Sequence, residues 1–219
     1  MDANILTKEQ IALLKYIGAS DSVKERFYLT GGTPLTAFYL GHRYSEDLDF
    51  FSEQEVDIAG LQIFMEKAKR ALGITRIEFQ QSFNRNLFFI HFNNEVIKTE
   101  FTYFPFARIE KGVSQWGIDT DSLLDIAVNK VFTIYQRTKA RDYIDLFCIC
   151  RSKGYTVSDL IKKARIKFDW HIDPIQLGTQ FVKAQEAEDM PHMIQEIRKE
   201  EWRKFFIEEA KRLSHEVIE

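Results

Sequence analysis

Two aspartates, Asp47 and Asp49, stand one residue apart in the run Asp47-Leu48-Asp49-Phe50-Phe51. If that run is a strand, both carboxylates project from one face, because side chains alternate with period two. Like charges so close repel each other and are costly to take out of water. A divalent cation removes that cost, and Mg²⁺ takes one or two carboxylates together with phosphate oxygens. Upstream, Thr30-Gly31-Gly32-Thr33 follows a short apolar run, Phe27 to Leu29. Glycines between a strand and a helix let the backbone approach a ligand and present N–H groups at a positive helix end. Thr30 and Thr33 add hydroxyl donors for a phosphate. Each motif by itself has an ordinary explanation, an acidic strand end or a tight turn. In the order strand, turn, helix, acidic strand they would share one cleft, as metal-assisted phosphoryl or nucleotidyl transfer requires.

Further charged groups follow. In Glu95-Val96-Ile97-Lys98-Thr99-Glu100-Phe101, Lys98 and Glu100 share a face opposite Ile97, Thr99 and Phe101. Glu100 is the candidate third carboxylate of a two-metal site, with Lys98 as its charge partner or a phosphate contact. A solvated ion pair on a strand is the competing reading. Later, Lys130, Ile134, Arg137 and Arg141 fall at i, i+4, i+7 and i+11 of a helical pattern, with Asp142 and Asp145 one turn apart. Val128, Val131, Ile144 and Leu146 point to a largely buried helix, whose charges would need partners that a triphosphate provides. A network of Arg–Asp pairs on an exposed face, contributing little, is the competing reading.

The elements that must position these groups are legible from periodicity. A helix runs from about Leu6 to Ala19, with Thr7 and Gln10 as a capping box. Pro34 starts and Gly41 stops a short helix, and a longer one runs from Ile58 to Leu72, ending at Gly73. Three strands follow, over residues 74–80, 86–92 and 95–104, with Asn93-Asn94 as the hairpin turn between the last two. Beyond Asp119 the pattern is helical, over 121–137, 141–152, 156–167, 174–187 and 191–215, with Pro174 and Pro191 at helix starts. This predicts an α+β chain: a mixed α/β domain over 1–118 and a helical domain over 119–219, with a ligand in the cleft between them.

Composition sets limits on function. With 45% hydrophobic and 29% charged residues, the 219-residue chain is neither disordered nor membrane-embedded, and its 19 Phe read as core. A net charge of −3 excludes a global basic field for nonspecific nucleic-acid binding but leaves room for a local basic cleft. There is no apolar run long enough to span a bilayer, and the N-terminal ten residues lack the apolar core of a leader. Cys148 and Cys150 read as buried thiols in a reducing cytoplasm.

Together the motifs resemble those of the AbiEii/AbiGii toxin family, nucleotidyltransferase-like proteins of type IV toxin–antitoxin systems. Gly31-Gly32-Thr33-Pro34-Leu35, continuing through His42-Arg43-Tyr44-Ser45 to Asp47-Leu48-Asp49-Phe50-Phe51, is similar to its first signature. Lys98-Thr99-Glu100 resembles its K-x-D, Ser122-x-x-Asp125-x4-Lys130 its T-x-x-E-x4-K, and Asp142-Tyr143-Ile144-Asp145 its D-x-x-D. The departures are Glu for Asp at 100, Ser for Thr at 122 and Asp for Glu at 125. The resemblance implies a polymerase-β-like nucleotidyltransferase fold, a mixed sheet with flanking helices, followed by a helical C-terminal half. It implies a cytoplasmic enzyme that uses Mg²⁺ and a nucleoside triphosphate, with RNA such as tRNA as acceptor and a separately encoded antitoxin as partner. In that scheme Asp47, Asp49 and Glu100 hold metal, and Glu100 activates the attacking hydroxyl. Gly31, Gly32 and Thr33 cradle the phosphates together with Lys98. Lys130 neutralises phosphate charge with support from Arg137 or Arg141, and Asp142 or Asp145 orients Lys130 or acts near the acceptor. His42 and Arg43 touch phosphate or buttress the loop. The alternatives are a nucleotide-binding protein without transfer activity and a metal-dependent phosphohydrolase. Five scattered His, at 42, 91, 171, 192 and 215, count against the latter.

Overall fold

A reciprocal pair of bonds between Thr7 and Gln10 opens the first helix, α1 (Lys8–Gly18), as a capping box. The computed structural model describes residues 5–218, with side chains over 5–214. The leader reading of the N-terminus bears in part on residues 1–4, outside that range. A single turn, α2 (Asp21–Lys24), leads to β1 (Tyr28–Thr30). Gly31 follows with φ 76° and ψ −144°, a conformation that glycine alone adopts without strain. The chain then enters α3 (Gly32–Pro34), continued by a π-helical turn over Leu35–Leu40.

Next come β2 (Leu48–Ser52) and α4 (Ile58–Leu72), the latter capped by Asp57 and ended by Gly73. Strands β3 (Arg76–Ser82), β4 (Arg85–His91) and β5 (Val96–Tyr103) form an antiparallel meander. Then β6 (Lys111–Gln115) and β7 (Ile118–Asp121) form a hairpin. The seven strands lie in the order β3-β4-β5-β2-β1-β7-β6, with β2–β5 and β1–β7 parallel.

One face of this sheet is apolar. Leu29, Leu48, Phe50, Phe88, Ile90, Ile97 and Phe101 pack there with Leu13, Leu14 and Ile17 of α1 and with Leu61, Phe64 and Met65 of α4. Phe50 and Phe101, on neighbouring strands, stack with ring centres 4.9 Å apart. Alternation therefore sends Asp49, Lys98 and Glu100 to the opposite face.

The helical part comprises α5 (Leu123–Gln136), α6 (Ala140–Lys153), α7 (Val157–Phe168), α8 (Pro174–Val182), a 3₁₀ turn over Lys183–Gln185, and α9 (Lys199–Ile218). Its core holds Trp202 and Tyr143, stacked at 6.1 Å, with Phe181 and Phe206. Among the described residues no helix is long and apolar enough to cross a membrane.

Two sequence expectations are corrected. The chain divides into one unit up to Tyr39 and from Ser45 to Ser122, and a second made of Leu40–Tyr44 and the chain from Leu123 onward. The boundary thus lies past 118/119, because β7 joins the sheet beside β1 and Ile118 enters its core. Pro191 does not start a helix. Met193 forms an isolated antiparallel bridge with Arg43, with the Tyr44 N–H donating to His192 C=O at 2.8 Å and the Ile194 N–H to His42 C=O at 3.0 Å. Backbone pairing with the Leu40–Tyr44 segment prevails over the local signal for a helix start.

Candidate active site

The sheet register builds the site. Thr30 pairs with Asp49, and Asp49 with Glu100, so these three side chains form a row across β1, β2 and β5 on the face away from the core. Asp47 sits just before β2. Its carbonyl accepts a hydrogen bond from the buried Thr33 hydroxyl, which also lies 3.0 Å from the Ser45 hydroxyl. Its carboxylate accepts a bond from Lys98 Nζ at 2.9 Å. Thr33 therefore anchors the approach to β2, a task that competes with the expected phosphate contact. Thr30 donates to the buried Asp121 carboxylate of β7. The glycine turn presses on this row: a Cβ at Gly31 would come within 2.8 Å of Asp49 Oδ2.

Glu100 is 6% exposed and occupied. Arg85 Nε donates to its Oε1 at 2.7 Å and Arg85 Nη2 to its Oε2, while the Thr102 hydroxyl adds a bond to Oε1 at 2.7 Å. Burial pushes the Glu100 carboxyl up, but the bonds from Arg85 and Thr102 and the nearby positive charge hold it below the usual carboxylate value. Among the described residues, no group of three or more His, Cys, Asp or Glu is arranged to hold a metal. Both oxygens of Glu100, expected on metal, already accept bonds from Arg85 or Thr102, which leaves Asp47 and Asp49 as the remaining pair of the expected trio. A pair still fits Mg²⁺, which takes one or two protein carboxylates and completes its shell with water and substrate phosphate.

Arg85 and Asp121 were missed by sequence reasoning. For Arg85 a signal was present. A hairpin centred on Asn93-Asn94 sets Arg85 opposite Thr102 and diagonal to Glu100. Asp121, the last residue of β7, falls where the sequence pattern starts a helix, and only the pairing of β7 with β1 brings it to Thr30.

The second unit gathers a different set. Asp145, fully buried, accepts a side-on pair from Arg43 at 2.7 and 2.8 Å and a bond from His42 Nε2 at 2.8 Å, and lies 2.6 Å from Lys130 Nζ. Asp142, equally buried, accepts from Lys130 at 2.7 Å and from Arg137 Nε at 2.9 Å. Burial raises both carboxyls; the charges of Lys130 and Arg43 hold Asp145 well below its ordinary range, and those of Lys130 and Arg137 lower Asp142. The expected basic stripe is not continuous, because α5 stops at Gln136 and α6 begins at Ala140. Arg141 points to solvent. Lys130 and Arg137, expected on a triphosphate, are taken by carboxylates of their own unit. Asp125 pairs at 2.7 Å with Lys167, another buried couple. His42 and Arg43 are likewise held by Asp145, which favours buttressing over phosphate contact.

A glycine turn pressed against an acidic strand, on a mixed sheet with helices over its other face, is the arrangement that the sequence motifs lead one to expect of a nucleotidyltransferase. The sequence profile of the nucleotidyl transferase AbiEii toxin family, of type IV toxin–antitoxin systems, matches residues 18–213. The chain belongs to that family, and is a nucleotidyltransferase. It is 30% identical over 163 residues to the uncharacterized protein aq_aa25 of Aquifex aeolicus, covering 74% of this chain and 76% of that one. In fold it resembles JHP933 of Helicobacter pylori, with a TM-score of 0.59, 19% identity and coverage of 96% of this chain and 94% of that one. A Helicobacter pylori protein provisionally designated a nucleotidyltransferase gives a TM-score of 0.62 at 19% identity, covering 95% and 93% of the two chains.

Proposed function

We propose that this chain transfers a nucleotide from a nucleoside triphosphate to an RNA acceptor, a tRNA end, using Mg²⁺ held by Asp47 and Asp49, and that a separately encoded antitoxin opposes it. The observation that carries this reading is the approach of Gly31 to Asp49: a Cβ there would meet Asp49 Oδ2 at 2.8 Å, so only glycine lets the turn lie against the acidic strand. Thr33 and Lys98 fix Asp47 from two sides, through its carbonyl and its carboxylate. When bound, Mg²⁺ would neutralise the charge that builds on the reacting phosphate.

Within that frame each residue has a task. Gly31 and Gly32 let the triphosphate lie along the backbone beside Asp49. The acceptor hydroxyl oxygen bonds to the α-phosphorus as the bond to the β-phosphate oxygen breaks, and pyrophosphate leaves with that electron pair. The hydroxyl proton is lost to solvent. Lys98 keeps positive charge beside Asp47 and steadies the acidic pair until phosphates arrive. The test incubates purified protein with Mg²⁺, each α-³²P nucleoside triphosphate and total tRNA, comparing wild type with Asp49→Ala. Label in RNA from the wild type alone supports transfer. Free pyrophosphate or phosphate without labelled RNA points to hydrolysis, and full labelling by Asp49→Ala overturns the metal assignment.

A further inference from the structure

Arg85 opens β4, one strand beyond Glu100 on the face that carries Asp49. Its guanidinium meets Glu100 side-on, through Nε and Nη2. The two partners differ in exposure: the Glu100 side chain is 7% exposed, that of Arg85 51%. The carboxylate is the fixed, buried member, further tied by Thr102, and the guanidinium is the outward one. A guanidinium has five N–H donors in one plane, and a side-on pair uses one on Nε and one on Nη2. The remaining Nη2 hydrogen and both on Nη1 are not used by the pair with Glu100. A rigid fork with spare donors beside a carboxylate pair is suited to phosphate oxygens. Metal on Glu100 would have to compete with three hydrogen bonds already made to its two oxygens.

We infer that Arg85 binds the phosphates of the incoming nucleoside triphosphate, and that Glu100 is its positioning residue and not a metal ligand. This rests on the reading above, in which the triphosphate lies at Asp47 and Asp49. Lysine would not substitute fully, because a point charge on a flexible stem is not oriented by the Glu100 fork.

The test measures two bindings, each nucleoside triphosphate with Mg²⁺ by calorimetry and Mn²⁺ alone by electron paramagnetic resonance. It compares wild type, Arg85→Ala, Arg85→Lys, Glu100→Gln and the double variant Arg85→Ala/Glu100→Gln. Arg85→Ala should weaken the preferred triphosphate by about tenfold or more, with Arg85→Lys recovering only part of the loss. Glu100→Gln should weaken the triphosphate comparably and leave Mn²⁺ binding within about threefold of wild type. The double variant should be no worse than the poorer single, since the two residues act as one unit. Loss of Mn²⁺ binding in folded Glu100→Gln would make Glu100 a ligand and overturn the inference. So would unchanged triphosphate affinity in Arg85→Ala while the wild type binds; that result leaves the proposed function standing. A wild type that binds no triphosphate sinks both. Should Glu100→Gln fail to fold, the two Arg85 variants decide, because their half-exposed side chain is replaceable without emptying a core site.

Discussion

Replacing Lys130 with methionine separates the two tasks this residue could have. In the structure its ammonium lies between two fully buried carboxylates, 2.7 Å from Asp142 and 2.6 Å from Asp145. Methionine keeps much of the volume and removes the charge. Asp142 is then left with Arg137, whose side chain is 49% exposed, and Asp145 with Arg43 and His42. Breaking a buried pair by removing one partner costs about 3–5 kcal/mol, because the surviving charge stays desolvated. Domains of this size are stable by only about 5–15 kcal/mol, so the loss is a large part of the whole. Urea unfolding followed by helix circular dichroism should therefore show a midpoint far below wild type. Adding Asp142→Asn should return part of the loss, with a coupling of roughly 1–3 kcal/mol. The pH dependence carries an independent signature. Asp142 and Asp145 are held below the ordinary carboxylate value, so the unfolded chain binds more protons than the folded one as pH falls. Their contribution is complete above about pH 5 and is lost progressively as pH falls through the unfolded and then the lower folded values, and Lys130→Met should flatten that acid limb. A Lys130→Met protein that unfolds like wild type yet fails to bind triphosphate would refute this account and return Lys130 to the phosphate.

Gly31→Ala should cost about 1–3 kcal/mol from its positive φ, and displace Asp49, which a Cβ would meet at 2.8 Å; thermal melting and Mn²⁺ binding report the two effects separately. Asp49→Asn should abolish Mn²⁺ binding and RNA labelling; retention of both would remove Asp49 from the site. Burial pushes the Cys148 and Cys150 thiols up to about 12, so at pH 8 almost none of either is thiolate. Reaction with a disulfide reagent should then be slow in buffer and fast in urea, and fast native labelling would contradict their environment.

How far the sequence reaches can be read from particular residues. The Ile58–Leu72 helix is fully legible, because an Asp cap, a clear apolar stripe and a terminal glycine all act locally. The same holds for the acidic strand and for the hairpin at Asn93-Asn94, whose centre fixes the register of β4 and β5. β6 and β7 are not legible. They are five and four residues long, mostly polar, and β7 carries two aspartates, which local preference disfavours in strands. What makes β7 a strand is β1, which it reaches only through tertiary pairing. Pro191 fails for the same reason, since its neighbours pair with residues about 150 positions away.

The site divides along the same line. Spacing tells which residues share a face, and the pairing of β5 with β2 and β4 keeps Lys98 and Glu100 on one face as alternation expects. It does not tell which group from another element arrives first at a carboxylate. Glu100 looks like a metal ligand while only β5 and β2 are considered. Once β4 is laid beside β5, the diagonal neighbour Arg85 takes both of its oxygens, and the same glutamate becomes the holder of a cation. Lys130 undergoes the corresponding reversal, because Asp142 and Asp145 close on it from the next helix. In both cases a buried charge requires a partner. The requirement is visible in the sequence, but the identity of the partner is decided by the pairing of elements. That leaves Asp47 and Asp49, with the glycine turn pressed against the second of them, as the acidic pair on which Mg²⁺ and triphosphate binding are to be tested first.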